Sequence, residues 1–166
     1  GYSKENNIKI AINPGNREIN KPRRLLSLLK HCDYLLLNRT ESENLSEYST
    51  KSDNYWDFFQ KLTPIVAITN GRDGAHILTP DQHLFSPILN IKTIYETGAG
   101  DAFGSASLSA LILWHNLQTS LEWGIKTPPQ WWLIWVPKTV FYLLIKSNKC
   151  YPKTKFSKKK VVLLSN

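Results

Sequence analysis

Short apolar runs alternate with helix-like segments along the first half of the chain, and this pattern predicts the fold. Three runs of four or five largely apolar residues are typical of buried strands: Ile8 to Ile12, Tyr34 to Leu37 and Ile65 to Ile68. Two segments between them have apolar residues at helical spacing: Leu25 to Leu29, and Trp56 to Leu62. Such alternation predicts an α/β domain with a largely parallel sheet.

The period of the pattern changes after Gly74. Residues Ala75 to Thr79 and His83 to Phe85 flank the turn dipeptide Pro80-Asp81, which predicts a β-hairpin. In α/β sheets, ligands collect outside the carboxyl ends of the strands. Polar residues that follow each predicted strand are therefore the candidates for a functional site.

The segment 97–104, with the sequence TGAGDAFG, carries the most specific chemistry in the chain. An apolar run from Ala102 to Leu117 follows it, so we expect a helix there. We predict that this helix buries one face: Phe103, Ala106, Ala110, Leu113 and Leu117. Backbone N–H groups with little side-chain bulk at a helix start bind anions. A carboxylate in that place, Asp101, is explained if it takes the proton of an alcohol while the amides hold the phosphoryl group under attack. The pattern indicates phosphoryl transfer to a hydroxyl.

This segment resembles the carboxy-terminal signature of the ribokinase-like (PfkB) carbohydrate kinases, which runs approximately D-T-x-G-A-G-D-x-F. The resemblance implies that Asp101 is the catalytic base. It also implies that three small residues form the anion hole: Gly98, Ala99 and Gly100. Tyr95 and Glu96 stand where the family usually has Asp-Thr, a departure that bears on the substrate subgroup.

A second motif follows the second predicted strand, where residues 38–41 read NRTE. They match the N-x-x-E motif of the same family, which implies that Asn38 and Glu41 arrange Mg²⁺ on the nucleotide phosphates, mainly through water. A purely structural alternative is that Thr40 and Glu43 form a capping box, with Glu41 as a first-turn acid.

A third motif follows the third predicted strand, where residues 69–74 read TNGRDG. They match the family's T-x-G-x-x-G loop, which implies nucleotide binding by Thr69, Gly71 and Gly74. Both glycines are expected to supply positive φ or a close backbone approach. The alternative is a tight turn between two strands. Three motifs in the family's order, each after a predicted strand, favour the kinase interpretation.

The resemblance implies a partial ribokinase-like three-layer sandwich with a mainly parallel sheet plus a β-hairpin. It implies ATP-dependent phosphorylation of a hydroxyl on a sugar or sugar-like molecule, with ATP and Mg²⁺ as cofactors. We expect no nucleic-acid or membrane partner, and the resemblance leaves a homodimer open for the intact protein. Cys32 and Cys150 suggest neither a disulfide framework nor a zinc site, and no signal peptide precedes the first strand, so a cytoplasmic location is expected.

Intact members of that family are considerably longer and carry most sugar contacts in their amino-terminal half. We therefore expect residues 1–125 to be the carboxy-terminal portion of a kinase domain, without the residues that select the sugar. A rival interpretation is a non-catalytic nucleotide-binding remnant or a pseudogene product. ATP binding without turnover, unchanged by Asp101→Asn, would favour that rival.

Residues 126–166 differ in composition from the rest. They hold nine lysines and no acid, whereas residues 1–125 hold 12 Lys+Arg against 13 Asp+Glu. One interpretation is a basic tail that binds RNA or a membrane surface. The apolar run 131–145 has fifteen residues, short of the ~20 that a helical membrane span requires.

We favour a different hypothesis for this tail: it is non-native or disordered because it is translated out of frame. A shift at the Lys126 codon forces Val from Trp131-Trp132 and Gly from Trp135-Val136. It also permits a continuation similar to the family's next helix and G-A-x-x-G turn. The hypothesis predicts poor solubility and weak or absent turnover. It fails if the coding DNA has no adenine run at Lys126.

Overall fold

The computed structural model describes residues 5–6, 8–88, 98–127 and 161–164 of the chain. The strands are β1 Lys9–Ile12, β2 Tyr34–Asn38, β3 Val66–Thr69, β4 Ala75–Leu78, β5 His83–Ser86 and β6 Val161–Leu164. The helices are α1 Asn16–Ile19, α2 Pro22–Leu29, α3 Arg39–Ser46, α4 Asp53–Gln60, α5 Ala99–Ile112 and α6 Leu117–Lys126. A short 3₁₀ turn spans Gly71–Asp73.

The strands form one sheet in the order β5-β4-β3-β2-β1-β6. Strands β6, β1, β2 and β3 are parallel, whereas β4 and β5 form the antiparallel hairpin. The register pairs Asn38 with Thr69, so β2 and β3 end level with each other. The prediction of a mainly parallel sheet with an added hairpin is confirmed. Because parallel strands share their carboxyl edge, the residues after β1, β2 and β3 are brought to one place.

Helices cover both faces of the sheet, which gives the three layers that were predicted. Alternate residues of β2 point to opposite faces. Leu35 and Leu37 pack under α1 to α4, together with Tyr55 and Phe59. The other face packs on α5 and α6 through a second cluster: Ala11, Tyr34, Leu36, Ala67, Ala75, Ile77, Phe103, Leu108 and Leu121. Within the described residues, no helix has the length and apolarity to cross a bilayer.

Helix α5 begins and ends earlier than we predicted. It starts at Ala99 rather than Ala102 and ends at Ile112, because Trp114 takes a left-handed conformation with φ of 66°. The His115 N–H closes the turn by donating to the Ala110 carbonyl at 3.0 Å. The expected apolar face is therefore wrong at its end, where Leu113 is 40% exposed. Its earlier members fit the prediction better: Phe103 and Ala110 are buried, and Ala106 is half-buried.

Helix α6 was not predicted as a separate element, and Leu117 is its first residue. Asn116 caps it, since its side-chain oxygen accepts the Thr119 N–H at 2.8 Å. A buried network of hydroxyls joins the two helices to the sheet: Ser120 contacts Ser107 at 2.8 Å, and the Tyr34 hydroxyl donates to Ser107 at 3.1 Å. This network holds α5, the helix that carries Asp101, against β2.

Four residues of the tail lie in the sheet. Residues Val161–Leu164 form β6, which pairs with β1 along its whole length. Their sequence VVLL has high strand propensity. The rest of the expected non-native tail, residues 128–160 and 165–166, lies outside the described residues. The coding-frame hypothesis stays a prediction.

The hairpin carries a pair of histidines with lowered pKa values. Burial, and secondarily the charge of His83, lowers the pKa of His76 to about 4, and burial lowers the pKa of His83 as well. When folding lowers the pKa of a histidine, the unfolded chain binds the proton at a higher pH than the folded chain does. The stability of the fold is therefore lost as the pH falls from the unfolded pKa towards the folded pKa. These two groups therefore make the fold weaker in acid.

We expect the unfolding free energy to fall as the pH is lowered from about 6.5 to about 4. The contribution of His76 is about 1–2 kcal/mol, because solvent screens its half-buried ring. Urea unfolding at several pH values, in a buffer with a chelator, measures this. His76→Gln should flatten that part of the profile, while the control His31→Gln should not. An unchanged slope in His76→Gln contradicts the prediction.

Candidate active site

The start of α5 has a backbone geometry that suits an anion. Gly98 is the N-cap residue with φ of 84°, a left-handed conformation that favours glycine. Within the described residues, no side chain caps this helix start, and the first intrahelical bond runs from the Ala102 N–H to the Gly98 carbonyl at 2.9 Å. The N–H groups of Ala99 and Gly100 therefore remain available for an anion at the positive end of the helix dipole.

Asp101 lies on the first turn of α5 and faces the carboxyl ends of the strands. The Asn13 side-chain amide, just after β1, donates to the Asp101 carboxylate at 3.3 Å. A Cβ placed on Gly100 would lie 3.8 Å from the Thr69 hydroxyl oxygen at the end of β3. The loops after β1 and β3 thus meet the start of α5, as a phosphate-handling site requires.

Asn38 and Glu41 form the capping box at the start of α3. The Asn38 side-chain oxygen accepts the Glu41 N–H at 2.9 Å, and the Glu41 carboxylate accepts the Asn38 N–H at 2.8 Å. The alternative box of Thr40 and Glu43 is wrong, because the helix begins two residues earlier than that box requires. Glu43 instead accepts the Thr50 N–H at 3.2 Å.

The charge of Asp101 acts on Glu41 across the site. Burial raises the pKa of Glu41 above its ordinary value, and the negative charge of Asp101 raises it further. The Asn38 N–H opposes these effects because it donates to the carboxylate. A cation placed between two carboxylates that repel each other would relieve that repulsion.

The loop after β3 has the two positive φ values that its glycines predict. Gly71 has φ of 55°, and a Cβ added there would meet nothing within 4 Å, so it borders open space. Gly74 has φ of 112° and packs against the backbone of Ser86 and Pro87 after β5. The Asn70 N–H donates to the Gly74 carbonyl at 2.8 Å and closes the loop. The close contact with the hairpin thus explains why residue 74 is a glycine. Thr69 is the residue of this loop that faces α5.

The residues present fit a magnesium ion carried by a nucleotide. Within the described residues, no cluster of three or more His, Cys, Asp or Glu side chains could enclose a metal. Magnesium accepts such a site, because it keeps several waters and takes few protein carboxylates when phosphates supply the rest. Glu41 accepts the Asn38 N–H through Oε2, which leaves Oε1 to accept a hydrogen bond from a metal-bound water.

Asn13 is the residue of this site that the sequence analysis missed. It follows β1 directly, and Asn38 and Thr69 are the last residues of β2 and β3. The rule that ligands gather at the carboxyl ends of strands applied to all three. A polar residue directly after β1 was the signal that could have identified it.

A three-layer α/β fold with a carboxylate beside an uncapped helix start is typical of proteins that handle phosphate groups. The model of the pfkB family of carbohydrate kinases matches residues 4–127. The chain therefore belongs to the pfkB carbohydrate kinase family, which confirms the resemblance drawn from its motifs. Kinases of this family are transferases that phosphorylate sugars or nucleosides.

Two curated relatives illustrate the range of the family. A nucleoside kinase of Methanocaldococcus jannaschii is 28% identical over 95 residues, covering 57% of this chain and 30% of that protein. An ATP-dependent 6-phosphofructokinase of Thermoanaerobacterium thermosaccharolyticum is 30% identical over 98 residues, covering 59% of this chain and 30% of that protein. The chain thus matches less than a third of the length of these relatives.

A solved structure shares the fold. A putative ribokinase II of E. coli in complex with ATP and Mg²⁺ has a TM-score of 0.62 and 22% sequence identity, covering 74% of this chain and 41% of that chain. Use of ATP and Mg²⁺ is a property of the family.

Glu41→Gln separates the capping role of Glu41 from a magnesium role. Glutamine can still accept the Asn38 N–H, so the unfolding free energy should change by less than about 0.5 kcal/mol. Loss of the charge should weaken Mg²⁺-dependent ATP binding about tenfold, as for other outer ligands of a metal. Calorimetric titration with ATP, with and without Mg²⁺, measures the effect. Glu43→Gln is the matched control and should bind as the parent chain does. Equal Mg²⁺ dependence in Glu41→Gln contradicts the assignment.

Proposed function

We propose that the chain forms the nucleotide-binding and catalytic-base portion of an ATP-dependent kinase that phosphorylates a hydroxyl of a sugar or sugar-like molecule. The observation that carries this proposal is the position of Asp101. It stands on the first turn of α5, where it accepts a hydrogen bond from Asn13 and its charge acts on Glu41, and the neighbouring Gly100 lies close to the Thr69 hydroxyl. A carboxylate that merely stabilised a helix start would not need polar groups from three strand ends.

In the proposed reaction, the substrate oxygen attacks the γ-phosphorus of ATP and its proton passes to the Asp101 carboxylate. The bond from the γ-phosphorus to the bridging oxygen breaks, and ADP leaves with that electron pair. The amides of Gly98, Ala99 and Gly100 hold the negative charge of the transferred group. Positioning and electrostatics of this kind supply most of the rate in phosphoryl transfer.

Glu41 and Asn38 would hold Mg²⁺ through water, where it would neutralise phosphate charge. Thr69 would donate its hydroxyl to a phosphate oxygen, and the loop to Gly74 would support the nucleotide. The residues of the candidate site would handle the phosphates and the hydroxyl proton rather than the sugar, so the sugar is proposed only by class. A non-catalytic protein that binds nucleotide with the same groups is the second candidate, because the capping box of Asn38 and Glu41 accounts for these two residues without a metal.

Binding of MgATP to the purified chain tests the nucleotide part of the proposal. Thr69→Val keeps the strand shape but removes the hydroxyl, and it should weaken binding about ten- to hundredfold, the value of one hydrogen bond to a charged group. Thr69→Ser should restore it. If the parent chain does not bind MgATP, or if Thr69→Val binds equally well, the proposed site is wrong.

A further inference from the structure

Outside the candidate active site, four rings gather where the hairpin packs on α4. His76 on β4 and His83 on β5 lie with their ring centroids 4.6 and 4.4 Å from that of Trp56. The Phe85 ring is tilted against that of His76, with the centroids 4.8 Å apart. His76 is half-buried and His83 is exposed, so the pair is held by its neighbours and open to solvent at one end.

The two imidazoles face each other through one nitrogen each. His76 Nδ1 and His83 Nε2 are 2.9 Å apart, and the ring centroids are 5.1 Å apart. One of these nitrogens carries a proton and donates a hydrogen bond to the other, because two lone pairs at this distance would repel. Within the described residues, the pair is a polar contact between two strands that the kinase mechanism does not use.

The distance between these nitrogens equals the separation of two imidazole nitrogens that bind one metal ion at a right angle. Bonds from a metal to an imidazole nitrogen are about 2.0–2.1 Å, and two of them at a right angle span about 2.9 Å. Square-planar and octahedral ions have this angle, whereas a tetrahedral ion such as zinc needs a wider span. Partial burial lowers the pKa of both imidazoles and so favours the neutral form, which is the form that binds metals.

We propose that His76 and His83 form a binding site for a divalent cation of the nickel and copper class. The imidazole that donates the hydrogen bond moves its proton to its other ring nitrogen, so both facing nitrogens present lone pairs and no proton is lost overall. Small rotations of the two rings then direct both lone pairs to one ion, and water completes the coordination. Such an ion would link β4 to β5 next to Trp56.

Titration of the full chain with NiCl₂ in excess MgCl₂ tests this site. We expect one Ni²⁺ per chain by calorimetry, with quenching of tryptophan fluorescence that Trp56→Phe largely removes. His83→Gln and His76→Gln should each bind at least tenfold more weakly. His115→Gln, which alters a histidine lying against Trp123, is the control and should bind as the parent chain does.

Two results would overturn the proposal: no stoichiometric Ni²⁺ binding by the parent chain, or parent-like affinity in His83→Gln. Thermal unfolding of each variant shows whether it is folded, and His83 is exposed, so its replacement should be tolerated. The active site does not contain these residues, so Glu41→Gln should leave Ni²⁺ binding unchanged. The test is thus independent of kinase activity.

Discussion

Asp101→Asn should reduce phosphate transfer from ATP to a sugar or nucleoside by about 10²–10⁴-fold, the usual value of a positioned general base. The amide cannot take the hydroxyl proton, although its oxygen can still accept the Asn13 hydrogen bond. Transfer from γ-labelled ATP to a panel of monosaccharides and nucleosides is sensitive enough to detect slow turnover.

The same variant should bind ATP more tightly, not more weakly. The Asp101 carboxylate repels the terminal phosphate, and its removal is worth about three- to tenfold in affinity at a solvent-accessible site. Calorimetric titration measures this even where turnover is slow. Asp57→Asn removes an exposed acid paired with Lys61 at 3.6 Å and should change neither quantity.

The two measurements on Asp101→Asn separate the kinase from the remnant. Loss of transfer with tighter ATP binding supports a general base beside the γ-phosphate. Undiminished transfer in Asp101→Asn would exclude that role. ATP binding that the substitution does not alter, in a chain without transfer, would favour a nucleotide-binding remnant in which Asp101 lies away from the phosphate.

Strands β1 to β3 and the hairpin could be predicted because their signals are local. Runs such as residues 34–37 alternate between the two faces of the sheet and read as strands without any knowledge of their partners. The family motifs indicated the candidate site. Two of them, residues 38–41 and 69–74, begin at the last residue of a strand. The structure then brings Asp101, Thr69 and Glu41 together, which no local pattern shows.

The boundaries of α5 and α6 could not be predicted for a physical reason. Leu113 and Leu117 continue the helical period of the residues before them, so the pattern has no break there. The break is made by Trp114, which turns left-handed without a glycine or proline to mark it. Tertiary packing of α6 on α5 compensates for that cost, and packing is absent from a local pattern.

The start of α3 shows a similar ambiguity. Asn38 and Thr40 are both good N-cap residues, and each has an acid three positions later. The sheet decides between them, because Asn38 is the last residue of β2 and pairs with Thr69 in the register. The chain must leave the sheet there, so the helix begins at once and Glu41 becomes the partner in the box.

Gly74→Ala should destabilise the fold by about 3 kcal/mol or more. Its φ of 112° and ψ of −148° lie in a region that is essentially restricted to glycine. A Cβ there would also collide with the Ser86 carbonyl and approach the Pro87 Cα to 2.8 Å, and backbone atoms cannot move aside cheaply. Chemical unfolding of the variant measures the loss.

Gly71→Ala is the matched control in the same loop. A non-glycine residue at φ of 55° lowers the unfolding free energy by about 1–2 kcal/mol. Open space surrounds the position, so no collision is added. A larger loss in Gly74→Ala than in Gly71→Ala assigns Gly74 to the junction of the loop with β5. The reverse order would contradict it. Full stability in Gly74→Ala with loss of ATP binding would instead assign this glycine to the nucleotide.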